Sequence, residues 1–142
     1  MKTVFIDSSV LFSACSSLSG ASAQILVLCR KKKLQGYISK YVVAECKKNI
    51  AKKLDQKAKQ RLNMYLLQFD LKTVSEPTEQ EIKICEEVIK SKDAPILAAA
   101  IKSKAMVLVT LDKKDFMIAK VRNHIQPTLL FTPDKFLSSV TF

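Results

Sequence analysis

Glycine, histidine and tryptophan are nearly absent from this chain. Two glycines, Gly20 and Gly36, stand in 142 residues, so a glycine-rich phosphate loop of the dinucleotide or Walker type cannot be written anywhere in it. One histidine, His124, and no tryptophan leave no room for a two-histidine zinc site or a paired-histidine phosphodiesterase. The cysteines Cys15, Cys29, Cys46 and Cys85 form no CxxC pair and read as buried thiols. No apolar run approaches the roughly 18 residues of a membrane span. The longest candidate, Ala94 to Ile101, contains Pro95.

The N-terminus imitates an export signal, with Lys2, a hydrophobic stretch and the small-residue run Ala21-Ser22-Ala23. Asp7, followed by Ser8 and Ser9, cuts the apolar stretch into pieces well short of the 7–15 residues such a signal needs. A cytoplasmic protein with no membrane partner is expected.

Lysine and aliphatic residues are plentiful. With 48% apolar residues in 142 the chain can bury a core, and its length suits one domain over residues 1–142, which buries roughly 68–70% of its unfolded surface. Against 24 Lys+Arg stand 13 Asp+Glu, a net charge of +11. A field of that sign attracts nucleic acid or an anionic membrane surface, although lysine-rich faces also serve solubility alone.

Met1 to Ile6 predicts a strand ending at Asp7. A helix is expected from about Ser8 to the basic run Arg30 to Lys33, stopped by Gly36, with a very short strand at Tyr37-Ile38. Ser39 reads as the cap of a helix bearing Val43, Cys46, Ile50 and Leu54, and a second helix from about Asp55 to Phe69 folds back on it as a hairpin. Leu71 to Val74 predicts a strand. Thr78 and Glu81 form a capping box opening a helix to about Ser91, and Asp93 starts another. Met106 to Thr110 and Thr128 to Phe131 read as buried parallel strands, and Thr132-Pro133 opens a terminal helix. Alternating strands and helices predict a three-layer α/β/α fold with a central, mainly parallel, twisted sheet.

Ligands in such sheets bind beyond the carboxyl ends of the strands. Asp7 and Asp112 follow strands, Asp93 sits at a helix start, and Glu45 flanks the apolar stripe beside Cys46. Each aspartate, Asp115 included, also reads as an ordinary N-cap, and Glu45 as a solvated helix residue. The four together are harder to explain that way, because the nine other acids face 24 basic residues, a balance of +15. Gathered acids repel one another unless cations join them.

Four segments then form a pattern: Phe5-Ile6-Asp7-Ser8-Ser9-Val10-Leu11, Val43-Ala44-Glu45, Lys92-Asp93-Ala94-Pro95-Ile96-Leu97-Ala98-Ala99-Ala100, and Val107-Leu108-Val109-Thr110-Leu111-Asp112-Lys113-Lys114-Asp115-Phe116. In this order and spacing they resemble the PIN-domain family over nearly the whole chain. The resemblance implies a metal-dependent single-strand ribonuclease, most often the VapC-type toxin of a toxin–antitoxin pair, with an antitoxin as partner and a homodimer as assembly. Its acidic residues fall on Asp7, Glu45, Asp93 and Asp112, with Asp115 auxiliary and Thr110 as the hydroxyl of the last motif. Ser9 stands where many relatives have Asn, and should orient Asp7 or a water less firmly.

All-oxygen ligands select Mg²⁺ or Mn²⁺ over zinc, and such ions neutralise charge building on a phosphate. Lys47, Lys48, Lys92, Lys113 and Lys114 flank the acids along the chain as candidate RNA-backbone contacts, while Lys52, Lys53, Lys57 and Lys59 crowd the hairpin. Tyr37 and Tyr41 are available to stack bases, Tyr65 reads as core, and His124 as a loop residue without a catalytic partner. Other classes remain: a non-toxin RNA-processing nuclease, a catalytically silent RNA-binding scaffold, and a haloacid-dehalogenase-like phosphatase. The last needs a second aspartate where Ser9 stands.

Overall fold

The computed structural model describes residues 1–140. Five short apolar runs become strands: β1 (Lys2–Ile6), β2 (Leu34–Ile38), β3 (Lys72–Thr73), β4 (Val107–Val109) and β5 (Leu129–Phe131). They form one sheet in the order β3-β2-β1-β4-β5, with every pairing parallel. Val4, Phe5 and Ile6 of the central β1 are wholly buried, as expected of a strand covered on both faces. Helices α1 (Ser8–Ser16), α2 (Ala21–Arg30), α3 (Lys40–Lys53), α4 (Gln56–Gln68), α5 (Glu79–Cys85), α6 (Ala94–Ser103), α7 (Lys113–Phe116), α8 (Ala119–Ile125) and α9 (Pro133–Ser139) flank it. The result is a three-layer α/β/α fold.

Local chemistry starts these helices where the sequence indicates. Ser39 Oγ accepts from Val42 N at 3.1 Å, Asp55 caps α4 through Ala58 N at 3.2 Å, and Thr78 and Glu81 close a capping box on α5. Thr132 Oγ1 accepts from Lys135 N at 3.3 Å to open α9. The α3–α4 hairpin is present, and α4 is tied to α1 by Tyr65 Oη, which donates to the Ala14 carbonyl at 2.8 Å. Tyr65 is core, as expected, and all four cysteines are free and buried.

Several boundaries differ from expectation. The single helix expected from Ser8 to the basic run is two helices, α1 and α2, bent by 97°. Ser17 and Gly20 are extended at the break, where small polar residues compete with the helical ladder. Gly36 stops nothing, because it lies inside β2. Lys32 takes the left-handed conformation instead, with φ of 60°. Gly36 is there for space: a Cβ would stand 2.7 Å from Leu71 Cδ2 and 2.9 Å from Cys29 Sγ.

The helix expected to reach Ser91 ends at Cys85 and continues as turns, with Val88 N and Ile89 N both donating to the Cys85 carbonyl. β5 is an edge strand rather than a buried one, and Leu129 is 56% exposed. Helix α8 was not anticipated, and α7 only through the N-cap reading of Asp112. His124 sits on α8, not in a loop, with Nε2 4.0 Å from Cys85 Sγ.

Among the described residues no single helix is long and apolar enough to cross a membrane. The bent pair α1 and α2 meets that test only jointly, and both helices contribute residues to the core. Topology places the site. The chain builds outward from β1 to β3 and then returns past β1 to β4, so the strand order reverses between β1 and β4. A crevice opens at their carboxyl ends, as the switch point of a doubly wound sheet requires.

Candidate active site

Asp7 is the first residue beyond β1, and its backbone N–H donates to the Val109 carbonyl at 3.1 Å, joining the ends of β1 and β4. It occupies the N-cap position of α1 yet makes no side-chain cap bond. Its Oδ2 instead accepts from Ser9 Oγ at 2.6 Å and Thr110 Oγ1 at 2.8 Å. Ser9 Oγ itself accepts from Leu111 N at 3.0 Å, and Thr110 Oγ1 from Asp112 N at 3.0 Å. A hydroxyl has one proton, so these backbone donors leave both hydroxyl protons directed at Asp7. Serine thus orients Asp7 directly.

Ser8 Oγ donates to Glu45 Oε1 and lies 3.5 Å from Asp7 Oδ1. This side chain links α3 to α1 beneath the crevice. Burial pushes the Asp7 carboxyl above its ordinary range, the hydrogen bonds from Ser9 and Thr110 oppose that, and Glu45 adds repulsion.

Asp93 stands at the N-cap of α6 but also makes no cap bond. Pro95 occupies the second helical position and has no N–H to offer, which removes one of the two usual cap donors. The side chain is buried, and its Oδ2 has no hydrogen-bond partner. Its carboxyl is pushed up to about 6, first by burial, against the opposing charge of Lys92, with Asp112, Asp115 and Asp7 adding repulsion.

Asp112 does cap, as the ordinary reading holds: its Oδ1 accepts from Asp115 N at 3.0 Å. Asp115 pairs with Lys90 at 3.1 Å, and that hydrogen bond holds its carboxyl below the usual range. Carboxylate oxygens of Asp93, Asp112 and Asp115 lie within 4.8 Å of one another.

An open cleft of about 420 Å³ is lined by Asp7, Glu45, Asp93 and Asp112 together, with Ser8 and Ser9 in its wall. The four acids picked out by sequence therefore meet. The lysines divide. Lys92 lines this cleft, and Lys48 lines the hollow beside it. Lys47 opens on the hollow between α3 and α4, and Lys113 and Lys114, on α7, are not among the residues lining the cleft.

Asn49 and Lys53, which also line the cleft, were missed as site residues. Their signal was present, since both recur at four-residue steps from Glu45. Ser8 and Lys90 carried no signal separable from an ordinary serine or lysine. Tyr41 Oη donates to the Lys92 carbonyl at 3.0 Å, which places an exposed ring beside the cleft. Tyr37 is half-buried in β2.

Carboxylates crowded together, one with a buried oxygen that nothing satisfies, fit a divalent cation. The donor set is oxygen throughout, without histidine or cysteine, and so suits Mg²⁺ or Mn²⁺ rather than zinc.

The model of the PIN domain matches residues 3–114. No curated protein matches the chain by sequence. Among solved structures, VapBC2 from Rickettsia felis, crystallised bound to a DNA fragment from its promoter, is similar with a TM-score of 0.63 and 20% identity, covering 92% of this chain and 98% of that chain. PAE2754 from Pyrobaculum aerophilum is similar with a TM-score of 0.64 and 17% identity, covering 96% and 88%. Matched by its family model over most of its length, and carrying that fold and strand order, the chain belongs to the PIN-domain family.

Proposed function

We propose that the protein is a divalent-metal-dependent endoribonuclease that hydrolyses phosphodiester bonds of single-stranded RNA, and that it is the toxin of a toxin–antitoxin pair. One observation carries the nuclease reading: the buried, unpartnered Oδ2 of Asp93 in a cleft shared with Asp7, Glu45 and Asp112. A purely structural N-cap does not leave a carboxylate oxygen buried and unsatisfied.

Asp7, Glu45, Asp93 and Asp112 would hold the ion, with Asp115 beside them. When bound, Mg²⁺ or Mn²⁺ supplies neutralisation of the negative charge that grows on the phosphate and its leaving oxygen. Ser9 and Thr110 fix Asp7 in one orientation, so its free lone pairs point consistently into the cleft. Whichever of Glu45, held by Ser8, and Asp112 does not ligate the ion would accept the proton of the attacking water at a carboxylate oxygen. Lys92 and Lys48 flank these acids and position the phosphate backbone.

The toxin reading is supported by family membership and by the structural likeness to VapBC2, which was crystallised on promoter DNA. A cognate antitoxin, a homodimer and a cytoplasmic location follow from that reading. The test is direct. Purified protein should cleave single-stranded RNA with Mg²⁺ or Mn²⁺ and stop in excess EDTA, and a small neighbouring open reading frame should encode a DNA-binding protein that co-purifies with it. Cleavage that survives EDTA contradicts the metal mechanism.

A further inference from the structure

Helix α3 has two distinct faces. Val42, Cys46 and Ile50 recur every four residues and are buried. Glu45, Lys48, Asn49, Lys52 and Lys53 recur at steps of three and four on another face. That second face turns to the cleft: Glu45, Asn49 and Lys53 line it, and Lys48, Lys52, Lys53 and Lys92 line the adjoining hollow with Glu45.

Ser16 and Lys53 of the cleft are shared with a third hollow that holds Lys57 and Arg61 of α4. Arg61 is positioned there by its bond from Nη1 to the Cys15 carbonyl at 2.9 Å. The three hollows thus share lining residues, and Lys53 is common to all of them. Among the described residues the ion pairs are Lys40–Glu76, Lys90–Asp115 and Lys102–Glu81. Lys48, Lys52, Lys53 and Lys57 therefore keep their charge for an external partner, and all four are exposed.

Resting on the nuclease reading, we propose that single-stranded RNA runs along this face of α3 and onto α4, with Lys48 and Lys52 holding phosphates beside Glu45, Lys53 at the junction of the hollows, and Lys57 and Arg61 beyond it. The recess argues for one strand. Asp7 and Asp93 are 2% and 4% exposed, so the scissile phosphate must drop into the crevice. A flexible single strand does this, whereas a duplex holds its backbone against a paired partner. Lys113 and Lys114, close to Asp112 along the chain, lie off this path.

Binding of labelled single-stranded RNA, measured by fluorescence anisotropy from low to physiological salt in an Asp7→Asn background that cannot cleave, tests the path. Each phosphate contact on a single strand contributes about 0.7 to the salt slope. The pair Lys53→Ala/Lys57→Ala should weaken binding and flatten the slope by about 1.4, as should Lys48→Ala/Lys52→Ala, while Lys113→Ala/Lys114→Ala leaves it unchanged. Equal slopes in all variants, or an equal loss from Lys113→Ala/Lys114→Ala, overturns the path and leaves metal-dependent cleavage by the wild type standing. Duplex RNA bound as tightly as a single strand overturns the single-strand assignment. A background protein that binds no RNA overturns both the path and the substrate of the nuclease reading.

Discussion

Asp93 forgoes its cap bond and leaves Oδ2 unsatisfied, which sets it apart from a carboxylate that only caps a helix. Replacing it with Asn should lower RNA cleavage by about 100-fold or more, beyond the 10–100-fold typical of groups that only support a metal ligand. Stability should move the other way. The Asp93 carboxyl titrates at about 6 in the folded protein against 3.8 for the free side chain, so between these values the folded state holds more protons and stability falls as pH rises. The deficit is complete above pH 6. In metal-free buffer the melting temperature of Asp93→Asn minus that of wild type should therefore increase from pH 4 to pH 7. A difference that is flat with pH contradicts the crowded, ionised carboxylate. Ser9→Ala removes the 2.6 Å bond to Asp7 and should cost about 10–100-fold in metal affinity, measured by calorimetry with Mn²⁺.

At the scale of elements, β2 depends on Gly36 for close packing. Gly36→Ala places a Cβ against Leu71 and Cys29 and should destabilise by about 1–3 kcal/mol through overpacking, read from denaturant unfolding. An unchanged midpoint would mean that Leu71 swings aside without cost. Gly36 also marks what was legible. The sequence shows a glycine after a basic run, which is a sound helix-stop signal, but the side chains that crowd this position are Cys29 of α2, seven residues earlier, and Leu71 on the approach to β3, 35 residues later. Caps made by Ser39, Asp55, Thr78 and Thr132 were readable because each is satisfied within three residues. The positions of Asp7, Asp93 and Asp112 were readable because the ends of strands and helices are local events. The Ser8–Glu45 bond and the direction in which α3 presents its lysines depend on how α3 packs on α1, so closeness along the chain singled out Lys47, Lys113 and Lys114 while the fold brought Lys53 and Asn49 to the cleft.

For the whole molecule, the charge pattern joins stability to activity. In this basic chain Asp93 meets repulsion from Asp112, Asp115 and Asp7 at the switch point, which a divalent cation would relieve. Saturating Mn²⁺ should raise stability by about 2.7 kcal/mol at a hundred times its Kd, on the order of 10 °C for a domain this size. The shift should shrink in Asp93→Asn and in Asp112→Asn, while Lys113→Ala/Lys114→Ala keeps it. The most direct measurement of the central claim is cleavage of single-stranded RNA by one preparation in Mn²⁺, then in excess EDTA, then with Mn²⁺ restored, alongside Asp93→Asn. Activity should be lost and regained with the ion, and in Asp93→Asn it should stay about 100-fold or more below wild type with Mn²⁺ present. Equal cleavage in all three conditions, or full activity in Asp93→Asn, would contradict the central claim.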